Sequence, residues 1–463
     1  MNSPLVWIII PFLISVVLFG IRKKRIYYYW IPVFLCLLLI ILAIFVPIDK
    51  QISVLGINFE IKSSLTFLGR VLQLSDNDRP IIILFYIIGL IWFIGSETAS
   101  TEKKFISLGT ATISLFIAAF AVRPFLYAAI IIELAILISI IMIVSKENEI
   151  KRGVLRYLVF QSISMPFILL AGWAATGVEA NPTDNRLFLE AIIFMALGFA
   201  FLLAIFPLYI WLPQLTEEAS TYTLGFIFSF LPSVGLLLLL KFINSFTWLR
   251  EYYLLYDALR IIGILMIITS GIWVVFENKL TRIFGYSIVF ENGFSLLALS
   301  IGDAAGYKIF ACMFVSRFIS IALMSLSLTI LSKRIKPDYN SVQGVMFNYP
   351  MASIMFLTSL LNVGGFPLFA GFPAKFLFYS TIPKNELSFI PVILIGSLCY
   401  LIFGVRIFIS FINTKNKVWQ IKESWQENLL IVVGLVFSIL VGIIPAVFFD
   451  QIIKILSSFE VIF

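Results

Sequence analysis

The few residues of this chain that could do chemistry lie where charge is costly. Glu133 sits near the middle of the apolar run 127–144, and Glu291 at the centre of the run 283–300. Lys375 follows a stretch rich in glycine and proline, and Arg317 and Arg406 lie inside two further apolar runs. A charge at mid-bilayer costs at least ~2.5–3.5 kcal/mol on insertion scales, so each one needs a reason. Carboxyl and amine groups can gain and lose a proton along a wetted path, whereas a guanidinium stays charged. Glu133, Lys375 and Glu291 are therefore the candidate ion-translocating residues. Arg317 and Arg406 read first as static partners of buried acids. Arg156 lies near the start of its run, as an interfacial residue or as the cation facing Glu133. Lys241 is near enough to a helix end to snorkel.

A second signal is a repeat. Phe206-Pro207-Leu208 recurs 160 positions later as Phe366-Pro367-Leu368, and the second copy continues through Gly371 and Pro373. Proline inside a membrane helix removes a backbone hydrogen bond and frees a carbonyl. Breaks at matching places in two halves of a chain imply an internal repeat, with the ion path at the broken helices.

Composition says what must position these residues. The chain is 61% hydrophobic and 13% charged over 463 residues, a balance that leaves too little charge for a water-facing surface. It is integral to a membrane. With no histidine, ligation or general-base chemistry by imidazole is excluded on this chain. The three cysteines Cys36, Cys312 and Cys399 lie in apolar runs without a metal or disulfide pattern. No P-loop or convincing dinucleotide fingerprint occurs, so no cofactor, metal or catalytic residue is expected. The apolar run from Leu5 to Gly20 lacks a basic region before it and a cleavage site after it, and reads as a retained helix.

Apolar runs long enough to cross a bilayer fall near 4–20, 30–48, 81–97, 105–121, 124–145, 153–174, 187–211, 222–247, 258–276, 283–300, 309–331, 348–382, 388–411 and 428–452. The expectation is an all-α polytopic membrane protein of about fourteen spans. Its seventh and twelfth spans would be discontinuous, and Pro232 would interrupt an onward ion route from the seventh. Placing Arg22–Arg25 on the cytoplasmic side puts Lys103, Lys104, Lys146, Lys151, Lys279, Arg282, Lys333, Arg334, Lys336, Lys415, Lys417 and Lys422 there too. Opposite loops are sparser in positive charge, which obeys the positive-inside rule and puts both termini on the non-cytoplasmic side. The basic balance of +8 is thereby explained without nucleic acid. The two breaks then run in opposite directions. The chain divides into three leading helices (1–104), two inverted five-helix repeats (105–257 and 258–411) and a last helix (412–463).

Three segments carry a resemblance. The stretch 201–212 with Glu217-Glu218-Ala219, the stretch from Lys279 to Ser287, and Asn362 through Lys375 resemble, in order and spacing, motifs of the antiporter-like membrane subunits of respiratory complex I. Glu133 stands where that family has a glutamate in its fifth helix. The likeness covers roughly residues 80–410 and best fits the subunit N (mitochondrial subunit 2) type, with relatives in membrane-bound hydrogenases and multisubunit cation/proton antiporters. It implies a proton-translocating subunit of a redox-driven complex in a plasma membrane, packed among other integral subunits. Some positions depart from the pattern. Leu202 replaces the family's seventh-helix lysine and Tyr209 a histidine. The sequence Leu231-Pro232-Ser233 stands where a central lysine is expected, and Glu291 where a histidine sometimes occurs. The first half is thus a degenerate half-channel, while the second keeps Lys375 and gains an acid. Two other roles share the pattern: a non-pumping scaffold between neighbouring subunits, and a subunit of a cation/proton antiporter with no redox partner. A membrane enzyme acting on lipid or sugar would need an acid pair or metal cluster in a loop, and the loops hold neither.

Overall fold

A computed structural model of the chain describes residues 2–21, 28–54, 57–67, 69–144, 151–382, 388–414, 418–459 and 461. The helices, in chain order, are α1 Ile10–Ile21, α2 Trp30–Phe45, α3 Arg79–Ile94, α4 Lys103–Ala121, α5 Ala128–Ile143, α6 Arg152–Ala180, α7 Asn185–Leu202, α8 Trp211–Glu218 and α9 Thr221–Ser245. They continue as α10 Thr247–Arg250, α11 Tyr253–Phe276, α12 Leu280–Leu299, α13 Ala304–Ser332, α14 Pro350–Gly364, α15 Gly371–Thr381, α16 Ile390–Ile412, α17 Trp425–Ile443 and α18 Pro445–Ile453. Among the described residues, ten helices are long and apolar enough to cross a membrane, and three shorter apolar helices accompany them.

Burial sorts these helices into layers. The best apolar windows of α9 and α13 are 94% and 83% buried, whereas that of α17 is 22% buried. A helix that is apolar all round and enclosed by protein belongs at the centre of a bundle. α2 and α17 instead turn Phe34, Phe45, Trp425 and Val433 outward, each at least half exposed. Such a surface suits lipid or neighbouring membrane protein, where apolar side chains meet no water.

Both breaks fall where the prolines predict. α7 ends at Leu202, a short 3-10 turn covers Leu208–Ile210, and α8 resumes at Trp211. α14 ends at Gly364, with Gly365 left-handed at φ 72°, and α15 starts at Gly371. Pro232 leaves its helix whole. α9 runs unbroken from Thr221 to Ser245 with Pro232 inside it, as α6 does with Pro166. Tight packing on every side holds α9 together where one backbone hydrogen bond is lost.

The loop between α2 and α3 is more ordered than its mixed composition suggests. Strands Gln51–Val54 and Ile57–Glu60 form one antiparallel pair, and Ser64–Phe67, Arg70–Gln73 and Val122–Arg123 form a second sheet. Loops of matching charge gather at one end. Lys333 Nζ donates to Thr98 O at 2.5 Å, Lys151 Nζ to Glu218 O at 3.3 Å, and Lys422 N to Asn348 O at 3.0 Å. At the other end Ser458 Oγ reaches Asn77 O at 2.9 Å, Val461 N reaches Asn244 Oδ1 at 3.1 Å and Ser3 Oγ reaches Leu74 O at 2.8 Å. The chain termini therefore share an end. Arg22–Arg25, Lys146, Lys384, Lys415 and Lys417 lie outside the described residues.

Candidate functional site

The second break builds the site. Asn362, on the last turn of α14, bridges the gap with its side chain. Its Oδ1 accepts from Gly371 N at 2.6 Å, and its Nδ2 donates to Ser320 Oγ on α13 at 2.7 Å. A Cβ at Gly371 would stand 1.9 Å from Asn362 O, so only glycine fits this approach. Pro373 follows in the first turn of α15, where its missing N–H removes no helical bond. Gly371→Ala is expected to cost about 1–3 kcal/mol by overpacking and to pull α15 off Asn362. A lower melting temperature of the assembled protein checks this.

The break aims Lys375 inward. Lys375 Nζ donates to Glu291 Oε1 on α12 at 3.1 Å and to Val363 O, a carbonyl near the end of α14. It also stands 4.6 Å from the Phe294 ring centroid and 5.1 Å from that of Phe290. The side chains of Lys375 and Glu291 are 3% and 2% exposed. Ser320 Oγ lies 3.5 Å from the same carboxylate oxygen. Two groups that can carry a proton are thus in direct contact, deep in apolar surroundings, beside freed backbone carbonyls.

The first half repeats part of this plan. Ser162 Oγ on α6 donates to Glu133 Oε1 on α5 at 2.6 Å, and the Glu133–Ser162 and Glu291–Ser320 pairs both span 29 residues. There the likeness stops. Leu202 stands five residues before Pro207, as Asn362 stands before Pro367, and Leu215 stands eight after, as Lys375 does. Both leucines are fully buried. Glu133 is half-buried, and its Oε2 has no partner among the described residues.

Among the described residues none of the three arginines hydrogen-bonds an acid, although Arg317 faces the charge of Glu291. Arg156 Nη1 donates to Gln214 Oε1 at 2.6 Å. It precedes Ser162 by six residues on α6, which puts it about 9 Å along the axis and on another face from Glu133. Arg406 donates to Val275 O at 2.6 Å and to Asn278 Oδ1 at 2.8 Å, over the Tyr339 ring, because it lies at the polar end of α16. Arg317 is 1% exposed, and none of its three nitrogens has a hydrogen-bond partner among the described residues. Lys241, read as snorkelling, is buried with its Nζ on Phe120 O at 2.8 Å.

Residues that the charges did not reveal complete the centre. Gln161, Ser162, Asn292, Ser320 and Asn362 are uncharged polar residues inside apolar runs, and four of them are at most 1% exposed. The signal for Ser162 and Ser320 was the matched 29-residue spacing to a glutamate, and for Asn362 its place beside the second break, whereas Gln161 and Asn292 had neither.

A clasp at the end of the bundle ties the halves together. Glu217 accepts from Lys279 Nζ and, at 2.6 Å, from Arg282 Nε. Burial raises the Glu217 carboxyl, but the hydrogen bonds from Lys279 and Arg282 outweigh it and hold it below its ordinary value. A carboxyl whose folded value is depressed contributes stability above its unfolded value and loses it as pH falls through the folded one. Glu217→Gln is therefore expected to cost about 1 kcal/mol at neutral pH. That difference should begin to shrink as the pH falls below about 4 and vanish only below the depressed folded value, as melting curves of the parent and variant across pH will report.

Residues 130–400 match the family model described as NADH:quinone oxidoreductase/Mrp antiporter, transmembrane. The NADH-quinone oxidoreductase subunit N of Pelagibacter ubique is 22% identical over 435 residues, covering 89% of this chain and 84% of that protein. The NAD(P)H-quinone oxidoreductase subunit 2 of a Synechococcus strain is 26% identical over 226 residues, 47% of this chain and 42% of its own. The fold superposes on a chain of an archaeal membrane-bound sulfane sulfur reductase with a TM-score of 0.80 at 15% identity, covering 100% of both chains. A chain of Thermus thermophilus respiratory complex I gives 0.79 at 16% identity, with 98% of each chain covered. A chain of the Mrp complex from a Dietzia strain gives 0.79 at 11% identity, covering 99% of this chain and 97% of that one.

Proposed function

This chain belongs to the NADH:quinone oxidoreductase/Mrp antiporter transmembrane family, and on that premise we propose that it is a proton-translocating subunit of a redox-driven, complex I-like membrane complex. The observation that carries the reading is the direct Lys375–Glu291 contact at the second helix break. A proton resident on the amine can pass to the carboxylate and back, and the carbonyls and hydroxyls at the break can solvate either state. Two inverted units, 105–257 and 258–411, cross the membrane within about fourteen spans, with both termini non-cytoplasmic. The equal spacing of the two Glu–Ser pairs and the shared end of the two termini support this arrangement. The paired titrating groups belong to the second half. In the first, Glu133 keeps its serine, but Leu202 and Leu215 occupy the sites where polar groups serve the second.

A redox-driven role needs partners, and the wide exposed apolar faces of α2 and α17 suit packing against other integral subunits. Gentle detergent extraction through an affinity tag is expected to recover the chain with other membrane subunits and with quinone-linked redox activity. Recovery of a lone chain that exchanges cations for protons would favour an antiporter subunit instead.

A further inference from the structure

An uncharged pair meets at the first break. Gln161 on α6 and Asn292 on α12 grip three consecutive carbonyls at the first break. Gln161 Nε2 donates to Phe201 O and Leu202 O, both at 3.3 Å, and Asn292 Nδ2 donates to Leu203 O at 3.1 Å. Gln161 is 0% exposed and Asn292 1% exposed. Each is the chain neighbour of a site residue: Gln161 of Ser162, which holds Glu133, and Asn292 of Glu291, which holds Lys375. With their N–H groups turned to the break, Gln161 Oε1 and Asn292 Oδ1 are buried acceptors without a partner among the described residues. Glu133 Oε2 is a third such acceptor. Buried acceptors in native proteins are nearly always satisfied, and where side chains do not serve them ordered water does.

We infer that Gln161 and Asn292 are positioning residues that hold water across the first break, and so connect Glu133 with the Lys375–Glu291 pair where the first half has no charged group. The inference rests on the proton-translocating reading above. Neither amide changes its protonation. A proton crosses as one O–H bond breaks on a water molecule and another forms on the next, while the amide oxygens accept hydrogen bonds throughout. Nothing is oxidised or reduced. The same geometry explains a break whose own flanking positions are Leu202 and Leu215: the break supplies the carbonyls on which the two amides are fixed, one from each half of the chain.

The test uses the whole assembled complex in sealed vesicles, comparing the parent with Lys375→Met, with a Gln161→Leu/Asn292→Leu double variant, and with all three changes together. The double variant is expected to lower the proton-per-electron ratio as far as Lys375→Met does, with no further loss in the triple variant. Glu133 supplies a second readout. Its carboxyl infrared band, identified by its loss in Glu133→Gln, should respond to turnover in the parent and fall silent in the double variant. A merely structural role for the amides would leave that response intact. If the double variant does not assemble, Asn292→Ser, which keeps a water-binding hydroxyl, is compared with Asn292→Leu. Retained pumping in the first and loss in the second supports the link, and equal pumping overturns it. A normal ratio and a normal Glu133 response in the double variant, beside a clear loss in Lys375→Met, sinks the amide link alone. A normal ratio in Lys375→Met removes the reading on which the link rests.

Discussion

Lys375→Met leaves Glu291 buried without its ammonium, and the expected result is a loss of about 3–5 kcal/mol of stability, the size seen when one member of a buried ion pair is removed. The side chains of Glu291 and Lys375 are 2% and 3% exposed, so water cannot take over the missing contact. Ser320 Oγ at 3.5 Å is too distant to compensate. Methionine keeps the bulk, so the loss comes from charge and not from a cavity. Replacing both partners, as Lys375→Met/Glu291→Gln, should recover part of the melting temperature, because the stranded carboxylate is gone although the buried Arg317 loses the facing charge of Glu291. Proton pumping should not recover with it. The double change thus separates a structural ion pair from a working one: recovery of stability without transport assigns transport to these two groups.

The second large effect concerns the attachment of α17. Arg334 Nη2, at the end of α13, donates to both carboxylate oxygens of Glu427, at 2.9 and 2.8 Å. Glu427 is 5% exposed and also accepts from Ser424 N at 2.9 Å, closing a capping box on the first turn of α17. Arg334→Met leaves that buried carboxylate without its guanidinium. A loss of about 3 kcal/mol is expected, near the lower end for a buried pair because the arginine is itself 25% exposed. α17 is the least enclosed of the apolar spans, so it should loosen first. Hydrogen exchange should accelerate across residues 425–443 and stay unchanged in α9. Glu427→Gln, which removes the charge but can still accept the cap bonds, should show a smaller effect.

Features with a strong local cause were legible in the sequence. Pro207 and Pro367 break their helices because a missing N–H and a ring clash act within one turn, and Glu133, Glu291 and Lys375 stood out because charge inside apolar runs is rare. Features set by packing were not. Pro232 has the same ring, yet α9 runs through it, since the surrounding bundle holds the helix. Arg156 was one candidate cation for Glu133, but helix rotation turns it toward Gln214. The small sheet of Ser64–Phe67, Arg70–Gln73 and Val122–Arg123 joins segments far apart in the chain, and no local pattern announces such a pairing. Gln161 and Asn292 carry no charge, so they passed for ordinary polar residues until the carbonyls they grip came into view.

The central claim is that this chain moves protons through Lys375. It is tested most directly by the proton-per-electron ratio of the assembled complex carrying Lys375→Met/Glu291→Gln, in sealed vesicles during steady redox turnover. The expected result is normal electron transfer, a complete set of subunits and a ratio lowered by this chain's whole share. An unchanged ratio in an intact complex would contradict it and leave the chain a scaffold.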